Sequence, residues 1–235
     1  SFSRIQITTL ESSGDLECNN ANGGAGGWAD CVADDYVTAG TALRLTPGAN
    51  SDADITFSFK VHDGTAYSTS SYVMTVGVSA ANDAPTFSAT ANDLTVNEDT
   101  AGTITGTTVA DVDHSSLTMT VASTQSATFS LATTNGLTFS AGDGTSDNTM
   151  TFTGTTANIN TAIATVTWTS QLNNDNDAAL TFTVSDTVAA DVVDSVTITV
   201  NSVQDLPTAA DFTVTVDEDN SCLLYTSPSP RDPIG

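Results

Sequence analysis

Four short blocks recur in the same order within this chain. Ile55-Thr56-Phe57-Ser58-Phe59-Lys60-Val61-His62-Asp63 aligns with Leu180-Thr181-Phe182-Thr183-Val184-Ser185-Asp186. Met74-Thr75-Val76-Gly77-Val78 aligns with Val196-Thr197-Ile198-Thr199-Val200. Asn82-Asp83-Ala84-Pro85 then answers to Gln204-Asp205-Leu206-Pro207, and Val96-Asn97-Glu98-Asp99 to Val216-Asp217-Glu218-Asp219. Each block returns about 120 residues later, and ordered blocks at one spacing mean tandem domains. Residues 1–83 then form the C-terminal part of one repeat, 84–205 a complete repeat and 206–220 the start of a third. Each linker carries a proline, which stiffens the chain and cannot donate to a sheet ladder.

Inside the repeats the apolar period is two. Leu117/Met119/Val121, Phe129/Leu131, Leu137/Phe139, Met150/Phe152, Val166/Trp168, Leu180/Phe182/Val184 and Val196/Ile198/Val200 alternate with Thr, Ser and Asp. Such alternation makes half-buried strands, and Asn135-Gly136 and Gly142-Asp143-Gly144 are turn clusters between them. Many short strands in one repeat predict an all-β fold of tandem two-sheet sandwiches. One segment departs from the pattern. Ile159 and Ile163 are four apart, which predicts a single helical turn crossing between the sheets.

From Ser221 the acidic, Thr-rich character stops. Cys222-Leu223-Leu224-Tyr225-Thr226-Ser227-Pro228-Ser229-Pro230-Arg231-Asp232 reads like the translation of a sequencing-library adapter. Residues 221–235 are set aside from fold and function on that reading.

Four Lys and Arg stand against 28 Asp and Glu, a net charge of −24. A surface of that sign repels phosphate backbones and anionic lipid heads, so neither nucleic acid nor a membrane surface is an expected partner. No run of about 18 apolar residues is present to insert in a bilayer. A hard divalent cation with oxygen ligands, calcium above all, suits the balance better. Plain solubility is the other reading of most of these acids.

The blocks resemble the bacterial cadherin-like repeats of long secreted adhesins. The resemblance is carried by Asn82-Asp83-Ala84-Pro85, Val96-Asn97-Glu98-Asp99-Thr100, Asp111-Val112-Asp113, the run Gly136 to Gly144, Phe152-Thr153-Gly154 and Thr197-Ile198-Thr199-Val200. It implies tandem immunoglobulin-like or cadherin-like sandwiches on a cell surface or outside the cell, with calcium at linkers. By that resemblance Asn82 and Asp83 would supply linker ligands, joined by Asp111, Asp113 and Asp186. Glu98 and Asp205 would take the same part at the next linker. Two departures stand against this: the linker lacks the fuller acidic run of true cadherins, and no Asp-Arg-Glu equivalent is present. Solvated turn carboxylates are the competing reading for all of these acids.

Cys18 and Cys31 flank a glycine-rich loop in an expected hairpin, which suits a disulfide in an oxidising compartment. Free thiols are the alternative, because zinc would need two further ligands. Asn173-Asn174-Asp175-Asn176-Asp177 lacks the Gly and distal Glu of a helix-loop-helix calcium site and reads as a loop. His62 and His114, each beside a turn acid, are expected to be exposed. No nucleophile elbow, metalloprotease helix or phosphate loop appears, so the chain does not read as an enzyme. Trp168 alternates with Val166 and reads as core; Trp28, in its loop, is the aromatic expected to meet solvent. The leading expectation is a non-catalytic, calcium-stiffened adhesive spacer. Recognition of surface glycans or proteins through loops such as 19–30 is the second, and an accessory region of a secreted hydrolase the third.

Overall fold

A computed structural model describes residues 2–206, 211, 213 and 215–219. The adapter-like tail lies outside the described residues. The described residues are mainly β-strands packed in sheets, and the chain divides into two compact units. Unit 1 holds residues 1–85, 110–115 and 185–191; unit 2 holds 86–109, 116–184 and the remainder.

Unit 1 contains β1 (Arg4–Thr9), β2 (Asp15–Asn19), β3 (Trp28–Asp30), β4 (Tyr36–Thr38), β5 (Leu43–Thr46), β6 (Ile55–His62) and β7 (Tyr72–Val76). One sheet runs β4-β1-β6-β7 and the other β3-β2-β5. Alternation on β1 and β6 points Ile7 and Phe57 inward, where they meet Val37 of the same sheet and Leu16, Cys18 and Cys31 of the other side. Cys18 and Cys31 are joined by a disulfide inside this core, both nearly fully buried. His62 differs from expectation. It ends β6 instead of lying in the exposed turn, and it is buried. Its Nδ1 meets Ser3 Oγ and accepts the Gly64 N–H, both at 2.9 Å, which compensates for its burial.

Unit 2 contains β8 (Thr86–Ala89), β9 (Leu94–Asn97), β10 (Gly102–Thr105), β11 (Thr108–Ala110), β12 (Ser116–Ser123), β13 (Thr128–Leu131), β14 (Leu137–Ala141) and β15 (Thr149–Thr155). Helix α1 (Thr156–Ile163), β16 (Thr165–Thr169), β17 (Ala178–Ser185) and β18 (Val192–Asn201) complete it. A six-stranded sheet runs β14-β15-β12-β17-β18-β9, and a three-stranded sheet runs β10-β16-β13. The two share one core. Leu117, Met119, Phe152, Phe182 and Ile198 from the first sheet join Ile104, Phe129, Val166 and Trp168 from the second.

Helix α1 carries the chain from β15 in one sheet to β16 in the other. Thr155 caps it by accepting the Asn158 N–H at 3.2 Å, and Ile159, Ala162 and Ile163 face the core. Asn160 of this helix bonds both backbone groups of Val109, at 2.8 and 2.9 Å.

The counterpart strands β7 and β18 behave differently. Strand β18 runs ten residues, and β9 pairs with its last four in parallel, Ile198 opposite Leu94 and Val200 opposite Val96. Strand β7 runs five residues and stops at Val76. It is the end strand of its sheet among the described residues.

Candidate metal centre

Asp111 follows β11 and Asp186 follows β17, each at the point where the chain leaves a strand. Both carboxylates organise their own loops. Asp111 Oδ1 accepts the N–H groups of Asp113 and His114 at 2.8 and 2.7 Å. Asp186 Oδ1 accepts those of Val188 and Ala189, both at 2.8 Å. A short acidic side chain at the first position of a turn bonds the backbone two and three residues on, which is why Asp serves here.

Both aspartate side chains are 0% exposed. Asp186 Oδ2 accepts the Asn82 side-chain amide at 2.7 Å. Asp111 Oδ2 is buried with no hydrogen-bond partner. His114 brings Nδ1 to 3.8 Å from Asp111 Oδ1 and 4.0 Å from Asp186 Oδ2, and this nitrogen is also buried without a partner. One ligand atom from each of the three residues lies within 4.8 Å of the others. The linker closes on the same place. Asp83 donates its N–H to Asp113 Oδ2 at 2.6 Å, and Asn82 Nδ2 also reaches the Asp83 carbonyl at 3.1 Å. The Asn82 amide, the Val188 N–H and then the Ala189 N–H and His114 hold the Asp186 carboxyl below the usual aspartate range, against the opposing effect of burial.

These residues fit a divalent cation. A buried carboxylate oxygen without a donor is costly, and here its carboxyl group lies within 4.8 Å of a second buried carboxylate. A cation relieves both costs at once. Turning the Asn82 amide about its last bond would put its carbonyl oxygen where its nitrogen now sits, adding a neutral oxygen ligand.

Five of the seven acid or amide residues expected from sequence therefore meet: Asn82, Asp83, Asp111, Asp113 and Asp186. Glu98 does not join them. It is buried in unit 2, where Oε1 accepts the Val203 N–H at 2.8 Å and meets Ser202 Oγ at 3.5 Å. Asp205 is exposed and lies outside both clusters. His114 was missed as a site residue. The sequence signal was its place three residues after Asp111, within the same turn.

A second group, Asp15, Glu17 and Asp30, lies on β2 and β3. Cross-strand register sets Glu17 opposite both Asp30 and Arg44, and Arg44 pairs with Glu17. The Arg44 guanidinium also lies over the Trp28 ring, 4.7 Å from its centre. Arg44 holds the Glu17 carboxyl down, whereas partial burial and then Asp30, Glu17 and Glu11 push the Asp15 carboxyl up.

No protein-family model matches the chain. No curated protein matches it in sequence. Among solved structures it is similar to the EC1-2 pair of human mucin-like protocadherin, at 13% identity over 85% of this chain and 84% of that one, with a TM-score of 0.37. It is similar to the IG1+IG2 pair of DIP-gamma at 10% identity over 84% and 83%, TM-score 0.36. It is also similar to Drosophila N-cadherin EC1-3 at 16% identity over 86% and 56%, TM-score 0.29.

Proposed function

We propose that this chain is a non-catalytic, extracellular adhesion-type repeat module in which calcium holds the linker 82–85 against the loops 110–115 and 185–191. Asp111 and Asp186 supply the buried carboxylates, and Asn82, Asp83 and Asp113 supply further oxygens. The observation that carries this reading is the buried, partnerless Oδ2 of Asp111 in a cluster with the buried Asp186. Tandem repeats, a strongly acidic surface and a core disulfide support a setting outside the cell, such as a bacterial surface. A linker held at Asn82 and Asp83 would bend less, which is what a projecting stalk requires. Glu98 and Asp205 are proposed for the following linker on sequence correspondence with the same family.

Thermal unfolding of the chain with millimolar calcium, then with chelator, tests this. A ligand at about a hundred times its dissociation constant adds about 2.7 kcal/mol to the state that binds it. Calcium should raise the melting temperature of the wild type, and Asp111→Ala with Asp113→Ala should abolish the rise. An unchanged melting temperature in the wild type defeats the calcium reading.

A second reading rests on Trp28, which is 39% exposed with the Arg44 guanidinium over its ring. An exposed indole flanked by hydrogen-bonding groups suits the face of a sugar ring or a partner's side chain. Binding of the chain to a glycan array, lost in Trp28→Ala, would support it.

A further inference from the structure

We infer that His114 makes this cluster a site for a borderline first-row divalent ion, zinc being the type, in competition with calcium. The inference rests on the proposal above that the cluster holds a cation. Calcium gains little from an imidazole, because it prefers hard oxygen ligands. Zinc takes imidazole nitrogen and carboxylate oxygen together, commonly with three protein ligands and an open fourth position. The Asp111 and Asp186 carboxylates and His114 Nδ1, one ligand atom of each within 4.8 Å of the others, are a donor set of that kind.

Four observations carry this. The His114 Nδ1 is buried and makes no hydrogen bond, so its lone pair is uncommitted. The Asp111 side chain is wholly buried, and its Oδ2 is likewise unpartnered. The remaining imidazole is committed elsewhere, since His62 Nδ1 already meets Ser3 Oγ and the Gly64 N–H. The cysteines of unit 1 are closed in the disulfide and offer no thiolate.

The geometry needs a small contraction. Ligand atoms about 2.1 Å from a tetrahedral zinc lie about 3.4 Å from one another. His114 Nδ1 is now 3.8 Å from Asp111 Oδ1 and 4.0 Å from Asp186 Oδ2. Its side chain is 36% exposed and can close that gap. Asp111 is anchored through Oδ1 by two backbone N–H groups, which leaves Oδ2 to turn toward the ion. Asn82 would release Asp186 Oδ2 and leave its place to the carbonyl oxygen or to water.

The test titrates zinc chloride and calcium chloride separately into the full chain, by calorimetry, for wild type, His114→Gln and Asp111→Asn. Histidine imidazole nitrogen shifts are followed by NMR in the same samples. Zinc should bind the wild type at one site and move the His114 Nδ1 resonance. His114→Gln should weaken zinc by about tenfold or more, the size of loss that even outer-shell partners cause. Its calcium affinity should change far less, and unchanged circular dichroism would show that the fold survives. Zinc bound equally well by His114→Gln, or shifts at His62 in place of His114, would overturn the inference. Calcium binding without zinc would overturn it alone and leave the calcium reading intact. Zinc binding without calcium would do the reverse, and binding of neither would defeat both.

Discussion

The side-chain amide of Asn82 donates to Asp186 Oδ2 at 2.7 Å, joining residues 104 apart in sequence. The bond has a sign that depends on what else is present. An amide N–H stabilises a bare carboxylate, whereas a carboxylate in its place would repel one. Asn82→Asp should therefore lower the melting temperature in chelator, and recover or exceed the wild-type value in millimolar calcium. Equal destabilisation in both conditions would mean that no calcium sits between these side chains.

Asp15 gives the pH dependence of the other cluster a definite direction. Partial burial and then the charges of Asp30, Glu17 and Glu11 raise its carboxyl above the ordinary 3.8, with Arg44 opposing. A folded state that holds the proton more tightly than the unfolded chain gains stability below 3.8 and loses that gain as pH rises toward the raised value. Asp15→Asn should accordingly raise the melting temperature at neutral pH. The benefit should shrink in high salt, which screens exposed charges, and vanish near about pH 3. A neutral-pH melting temperature equal to or below the wild type would refute the repulsion.

Much of the architecture was legible because burial writes itself into alternation. The Leu180/Phe182/Val184 and Val196/Ile198/Val200 stripes are buried as their period required, and the Ile159/Ile163 spacing marked α1, the one α-helix among the described residues. Repeat alignment alone could not show which strands have neighbours. Met74 is 44% exposed whereas its counterpart Val196 is fully buried. The sequences of β7 and β18 are alike, yet β9 lies along β18 and no described strand lies along the outer edge of β7. Of the site, the aspartates were legible from their places after strands. His114 was not, since its role comes from a turn that folds it back between two acids. Glu17 and Asp30 escaped notice because only strand register brings them opposite each other.

The Cys18–Cys31 disulfide closes a loop with a sequence separation of 13. Chain-entropy reasoning gives a loop of that length about 3 kcal/mol of stability, chiefly by restricting the unfolded chain. The two tryptophans lie in separate units, Trp28 in unit 1 and Trp168 in unit 2, so each reports on its own sandwich. In Cys18→Ser with Cys31→Ser, the Trp28 transition should fall markedly while the Trp168 transition holds. A shift of both by the same amount would show that the units unfold together.

Gly102 tests how β9 is held on the sheet edge. A Cβ there would lie 2.4 Å from Val96 Cγ1 and 2.7 Å from Leu94 Cδ2, closer than carbon atoms approach. Leu94 is half-buried and has room to turn away, but Val96 is branched at Cβ, buried and stiff at χ1. Relief must then come from displacing β9, whose residues Leu94–Asn97 pair with Ile198–Asn201. Overpacking of this kind costs about 1–3 kcal/mol. Gly102→Ala should lower the Trp168 transition and speed amide exchange along Ile198–Asn201, leaving exchange in β12 and β15 governed by global unfolding. Unchanged exchange along β18 would mean that Val96 can yield in place, and that the glycine is not what lets β9 close against the sandwich.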